Sequence, residues 1–138
     1  MVVLEHATLC LLNAERTSHG LHRMGTDGRF RRVALDHSRD MVARHYFAHR
    51  GPGGRDFLAS MAKFYAPQTR WLVGENLGWG EGHQGSPRVI VGRWMASPDH
   101  RDNILTAAFT RIGIGLVSRV PHDRGLPGAT YTTEFGTT

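Results

Sequence analysis

The chemistry this sequence offers at fixed backbone positions is imidazole and carboxylate chemistry. The stretch from Gly74 to Leu105 reads GENLGWGEGHQGSPRVIVGRWMASPDHRDNIL. It holds Glu75 in a glycine-bounded segment. It also holds His100, the third residue of a short helix opened by Ser97-Pro98. We expect both to converge with His49, which lies just past the end of an earlier helix. Two neutral imidazoles and a carboxylate suit Zn²⁺ or a similar divalent ion and leave a coordination position open. The same groups suit general acid–base work, because imidazole titrates near neutrality and a nearby carboxylate raises its pKa. They also suit a hydrogen-bonded polar network that supports a cleft, and spacing alone leaves the three readings open.

Other reactive side chains have simpler expectations. His37 falls on the apolar stripe of its helix, where a histidine is expected to be a core group hydrogen-bonded to nearby backbone. His45 and His49 are four apart and could share an ion on a continuous helix, but the run Gly51-Pro52-Gly53-Gly54 opposes that geometry. Ser86 and Ser97 each precede a proline and read as helix N-caps. Cys10 reads as a small buried apolar residue, and a lone cysteine excludes an intrachain disulfide or a thiolate cluster. No P-loop, dinucleotide fingerprint, HExxH or Gly-x-Ser-x-Gly elbow is present, so no nucleotide or organic cofactor is expected.

The elements that must position these groups follow from periodicity. Residues 3–18 predict a helix with Leu4, Ala7, Leu11 and Ala14 on one face, and Glu5, Asn13, Glu15 and Arg16 elsewhere. A second helix is predicted over 29–45, capped by Asp27 or Thr26, with Phe30, Val33, Ala34, His37 and Met41 inward and Ser38 and Asp40 more exposed. Tyr46 and Phe47 are expected to be buried and to hold His49. A short helix is predicted over 56–64, and 71–73 lead extended into the Glu75 segment. Residues 81–85 read as a mobile polar loop, followed by a helix with Val89, Ile90, Arg93, Trp94 and Ser97 on one broad face.

Two strands close the chain. In 111–117 apolar residues alternate with glycine, which predicts a flat face packed closely by another element. After a turn-rich loop over 121–128, Ala129, Tyr131, Thr133 and Phe135 alternate against Thr130, Thr132 and Glu134, which predicts an antiparallel hairpin with the previous strand.

At 138 residues, with 40% hydrophobic and 21% charged side chains, the chain reads as one domain, residues 1–138, able to build a core. No apolar run is long enough to span a bilayer. The first residues lack the basic region of a signal peptide, so either the chain stays inside the cell or its targeting segment is not part of it. The net charge is +5, and all the basic residues except Lys63 are arginine. That favours affinity for polyanions such as wall polymers or anionic lipid, while no base-reading motif points to specific nucleic-acid binding.

These residues resemble the CAP superfamily (SCP/TAPS: cysteine-rich secretory proteins, antigen 5, pathogenesis-related 1) in its bacterial form. The matching pieces are Leu12-Asn13-Ala14-Glu15-Arg16 with Gly20-Leu21, Ala34-x-x-His37-Ser38-x-Asp40-Met41, Tyr46-Phe47-Ala48-His49 and Gly74-Glu75-Asn76-Leu77. Trp94-Met95-Ala96-Ser97-Pro98-x-His100-Arg101-x-Asn103-Ile104-Leu105, Phe109-x-x-Ile112-Gly113-Ile114-Gly115 and Tyr131-Thr132-x-x-Phe135-Gly136 follow in the family's order.

The resemblance implies an α+β fold, a three-layer α-β-α sandwich with a small antiparallel sheet and a large cleft. It also implies secretion. The family's cleft carries two histidines and two acids that bind divalent metal in some members. By motif these fall on His49, His100 and Glu75. The second acid belongs near Ser97, where this sequence has no carboxylate and Glu81 and Asp99 are the local substitutes. The tasks of the family vary, so the expectation is a secreted, monomeric binding module for a divalent metal, lipid or cell-wall ligand. The alternatives are a metal-assisted hydrolase of peptide or wall material using His49, Glu75 and His100, and a basic adhesin for wall polyanions.

Overall fold

The computed structural model describes residues 2–122 and 126–138. The elements in chain order are α1 (Val2–Ser18), β1 (Gly25–Thr26), α2 (Gly28–Arg44), α3 (Phe57–Ala62) and β2 (Val73–Glu81). A 3₁₀ turn (Gly82–Gly85), α4 (Pro87–Met95), α5 (Pro98–Ile104), β3 (Arg111–Val117) and β4 (Gly128–Gly136) complete them. The four strands form one sheet in the order β1-β3-β4-β2. β4 is central and pairs antiparallel with both β3 and β2, while the two-residue β1 adds a parallel edge to β3. The architecture is the α-β-α sandwich the resemblance implies, with β1 making its small sheet mixed.

The two faces of the sheet are built differently. On one face Ile112, Ile114 and Leu116 of β3, with Tyr131 and Phe135 of β4, join Leu12, Ile90, Trp94 and Ile104 from the helices in the larger core. On the other face α2 lies directly on β3, because Gly113 and Gly115 leave no side chain in its way. A Cβ at Gly115 would stand 2.1 Å from the Leu35 amide nitrogen, and one at Gly113 2.1 Å from the Arg31 amide nitrogen. The flat glycine face predicted for this strand is therefore the seat of α2.

That close seating buries polar groups which the alternation pattern assigns to the other side of β4. Thr130, Thr132 and Glu134 are all fully buried, because the face they occupy is the one that α2 covers. Ser38, expected to be more exposed, is fully buried for the same reason; its hydroxyl donates to the Gly115 carbonyl at 2.9 Å and accepts from Thr132 Oγ1 at 2.8 Å.

The inward face of α1 also differs from expectation. It consists of Glu5, Thr8, Leu12, Asn13 and Arg16, and Cys10 is exposed. The reason is hydrogen bonding, which an apolar periodicity does not register. Arg16, 1% exposed, donates to the carbonyls of His22, Ile104, Thr106 and Phe109 at 2.8–2.9 Å and ties α1 to the end of α5 and the approach to β3. Asn13 likewise exchanges two bonds with the Met24 backbone.

Caps and breaks mostly fall where the sequence places them. Asp27 caps α2 by accepting from the amides of Arg29 and Phe30. That helix ends at Arg44, and His45 turns out of it at φ 57°, its Nδ1 bonding the Pro121 carbonyl at 3.1 Å. Residues 82–85 form the 3₁₀ turn rather than an irregular loop. Ser86 and Ser97 occupy N-cap positions, yet neither hydroxyl makes a capping bond. The turn expected over 121–128 lies partly outside the described residues.

Gly115→Ala is expected to destabilise the protein by roughly 1–3 kcal/mol or more, because helix backbone rather than a movable side chain blocks the new methyl. Gly92→Ala, in α4 with nothing within 4 Å of its added Cβ, is expected to stabilise by about 0.5–1 kcal/mol. Urea denaturation of the two variants checks both signs.

Candidate functional site

Glu75 lies on β2, directly across from Glu134 of β4 in the sheet register, and both side chains sit under α2. The Glu75 carboxylate is 3% exposed and uses its two oxygens on two different histidines. Oε2 is 2.7 Å from His37 Nδ1, and Oε1 is 2.7 Å from His49 Nδ1. His37 is buried. His49 is half exposed, beyond the end of α2, with its ring 6.2 Å from that of Phe57. One carboxylate therefore joins an interior imidazole to a surface imidazole.

The electrostatics follow from this arrangement. Burial alone raises the Glu75 pKa, but the hydrogen bonds from His37 and His49 outweigh it and hold the group below the usual glutamate value. The bond to Glu75 raises His49 above the ordinary histidine range. Glu134 goes the other way. Complete burial, and then the neighbouring Glu75 charge, push it well above the usual carboxylate range. No N–H or O–H of the described residues reaches either Glu134 oxygen.

His100 reaches the same region from α5, which is stitched to β2 beside Glu75. Asn76 Nδ2 donates to the His100 carbonyl at 3.0 Å, and Asn103 Nδ2 donates to the Glu75 carbonyl at 3.2 Å and to Asn76 Oδ1 at 2.9 Å. Gly74 admits Asn103, whose Oδ1 would be 2.7 Å from a Cβ there. Nδ1 of His100 is 2.9 Å from Ser97 Oγ, so the serine hydroxyl expected to cap α5 faces the imidazole instead. Burial first, then the charge of His49, lower the His100 pKa. Nε2 of His49 and Nε2 of His100 make no hydrogen bond to the described residues.

A groove of about 580 Å³ runs along the free edge of β2 past His100. Leu77, Trp79, Ile90, Trp94 and Phe47 supply its apolar walls, and Arg93, Ser97, His100 and His122 its polar positions. Phe47 was expected to be buried; it is 40% exposed because it forms part of this wall.

Of the three candidates, His49 and Glu75 are in direct contact. His100 stands on the neighbouring helix turn with its Nδ1 engaged by Ser97. The set of three such side chains that converges among the described residues is a different one: His37, Glu75 and Glu134 each present an atom within 4.8 Å of the other two. His37 was expected to bond backbone. It does so at Nε2, 3.0 Å from the Ala48 carbonyl, but Nδ1 goes to Glu75. Glu134 was missed. The signal was present in the glycines of β3: once a helix must cover Gly113 and Gly115, the residues paired beside them, Glu134 and Thr132, share the covered face.

Comparison with known proteins shows the family and the fold. Residues 9–131 match the family described as CAP, the cysteine-rich secretory protein family. YkwD of Bacillus subtilis is 38% identical over 126 residues, which are 91% of this chain and 44% of YkwD. An extracellular SCP-domain protein of Bacillus anthracis superposes with a TM-score of 0.76 at 27% identity, covering 97% of this chain and 40% of that one. An outer surface protein of Borrelia burgdorferi has a TM-score of 0.76 at 17% identity, covering 96% of this chain and 90% of its own, and shares the fold. The chain thus spans less than half of YkwD and of the anthracis protein. No helix of the described residues is long and apolar enough to cross a membrane.

Glu134→Gln in chelated buffer checks the electrostatics. A carboxyl whose folded pKa is raised stabilises the fold fully below its unfolded value of 4.5, and that contribution is lost as pH rises toward the folded value. The wild type is therefore expected to lose stability relative to Glu134→Gln as pH rises above about 4.5. Denaturation midpoints from pH 4 to 8 measure the difference, which grows if Glu134 is held neutral and stays flat if it is not.

Proposed function

The chain belongs to the CAP family, and on that premise we propose that it is a ligand-binding module working outside the cytoplasm, whose β2-edge groove takes an elongated amphiphile such as a lipid or a cell-wall fragment. The observation that carries this reading is the groove itself. Its volume is that of a small-molecule site, its walls are aromatic and aliphatic, and its polar groups cluster at a few positions. Trp79 and Trp94 suit acyl or sugar-ring contact, and Arg93 and the histidines suit an anionic or hydroxylated head. The extracellular neighbour from Bacillus anthracis supports the location.

In this reading His100, on the groove wall, and His49, held by the buried Glu75, offer donor chemistry that fits a divalent ion such as Zn²⁺. Each imidazole has its Nδ1 engaged inside the protein, and its Nε2 has no hydrogen-bond partner among the described residues. Both Glu75 oxygens are taken by histidines, so its role toward such an ion is to orient His49 and raise its basicity. A bound ion there would supply a cationic anchor for a phosphate or carboxylate head.

Titration with a single-chain lysophospholipid below its micelle concentration, read by tryptophan fluorescence, tests the proposal. Saturable binding weakened at least tenfold by Trp79→Ala is expected. If Zn²⁺ strengthens that binding, His100→Ala is expected to remove the enhancement. Absence of saturable binding, or equal binding by Trp79→Ala, would contradict the groove as the ligand site.

A further inference from the structure

We infer that His37, Glu75 and Glu134 form a second, interior site for a divalent transition-metal ion, enclosed under α2 and distinct from the groove. The inference does not rest on the groove reading. Three features of the interior are accounted for together by one cation.

Glu134 comes first. It is fully buried, no donor of the described residues reaches either of its oxygens, and its cross-strand neighbour and nearest polar contact, Glu75, is another carboxylate. Two carboxylates this close in an apolar interior cannot both ionise without a cation between them. His37 comes second. Both of its ring nitrogens face acceptors: the Glu75 carboxylate at 2.7 Å and the Ala48 carbonyl at 3.0 Å. A neutral imidazole has one donor nitrogen and satisfies only one of them. The third feature is the convergence of the ligating atoms, all within 4.8 Å of one another, from three elements that the fold holds rigidly.

A divalent ion takes the place of the protons on His37 Nδ1 and on Glu134, which leave to solvent. The ion then sits among one neutral imidazole and two carboxylates, whose two negative charges balance its own. His37 Nε2–H keeps its bond to the Ala48 carbonyl, which is the usual outer bond of a metal-ligating histidine. Glu75 Oε1 keeps its bond to His49. Ligand distances of ~2.0–2.2 Å in a tetrahedral site set ligating atoms ~3.3 Å apart, so the His37–Glu75 contact opens by roughly half an ångström. Nitrogen and carboxylate donors suit Zn²⁺ or Mn²⁺ rather than a thiolate-seeking ion.

The test counts metal. The chain is unfolded in chelator, refolded with Zn²⁺ or Mn²⁺, desalted over a weak chelator and analysed by mass spectrometry of the metal. Wild type and His100→Ala are expected to retain about one ion per chain, and Glu134→Gln less than a tenth of that. Glutamine keeps the shape of the carboxyl, and circular dichroism reports its folding; His37→Gln is a second variant with the same expected loss. Metal-free wild type, or retention by both interior variants, would overturn the inference. Loss of the ion in His100→Ala would overturn it too, by placing the ion in the groove. The lysophospholipid titration is read independently, so failure of one reading leaves the other standing.

Discussion

One carboxylate sets the arrangement of this molecule's functional groups. Glu75 stands on β2 with one oxygen on an interior histidine and the other on a half-exposed histidine. Its backbone carbonyl accepts from Asn103, which also bonds the Asn76 amide, and Asn76 in turn bonds the His100 backbone. Through these bonds α2, the loop after it, α5 and the sheet are brought to one point. A buried carboxylate needs this many partners, because leaving it ionised without them costs several kcal/mol of desolvation. The hydrogen bonds that keep it charged are the same ones that orient the imidazoles.

The layers around it explain why such a group can be buried at all. β3 presents Gly113 and Gly115 to α2, so the helix backbone comes down to the sheet and excludes water from the β4 side chains beneath it. Ser38 and Thr132 meet there and satisfy each other. Glu134 lies in the same layer without a donor, and this makes it the group whose state, protonated or metal-bound, decides the charge of the interior. On the other face Arg16 is satisfied by four carbonyls, and these bonds tie α1 to the end of α5 and the approach to β3.

Much of this was legible in the sequence. The apolar stripe of α2, the Asp27 cap, the glycine alternation in β3 and the hairpin with β4 are written in local periods, and the structure reproduces them. The contact of His49 with Glu75 was also expected, since both sit on constrained backbone. What local pattern could not convey was which polar residues are internal. Arg16, Ser38 and Glu134 look like surface residues by type, and only the packing of α2 and α5 on the sheet buries them. The serines before Pro87 and Pro98 carried an N-cap signature, yet the imidazole three residues on claims Ser97. The second acid sought near Ser97 has its nearest buried counterpart across the sheet, in register with the first.

The most direct check on the hub role of Glu75 is the titration of His49 followed by ¹⁵N chemical shifts of its ring in metal-free protein, wild type against Glu75→Gln. The bond to the Glu75 carboxylate raises the His49 pKa, so its midpoint is predicted to fall in the variant, with Nδ1 no longer held protonated above neutral pH. An unchanged midpoint and an unchanged Nδ1 shift would mean that the carboxylate does not hold the imidazole, and the account built on it would fail.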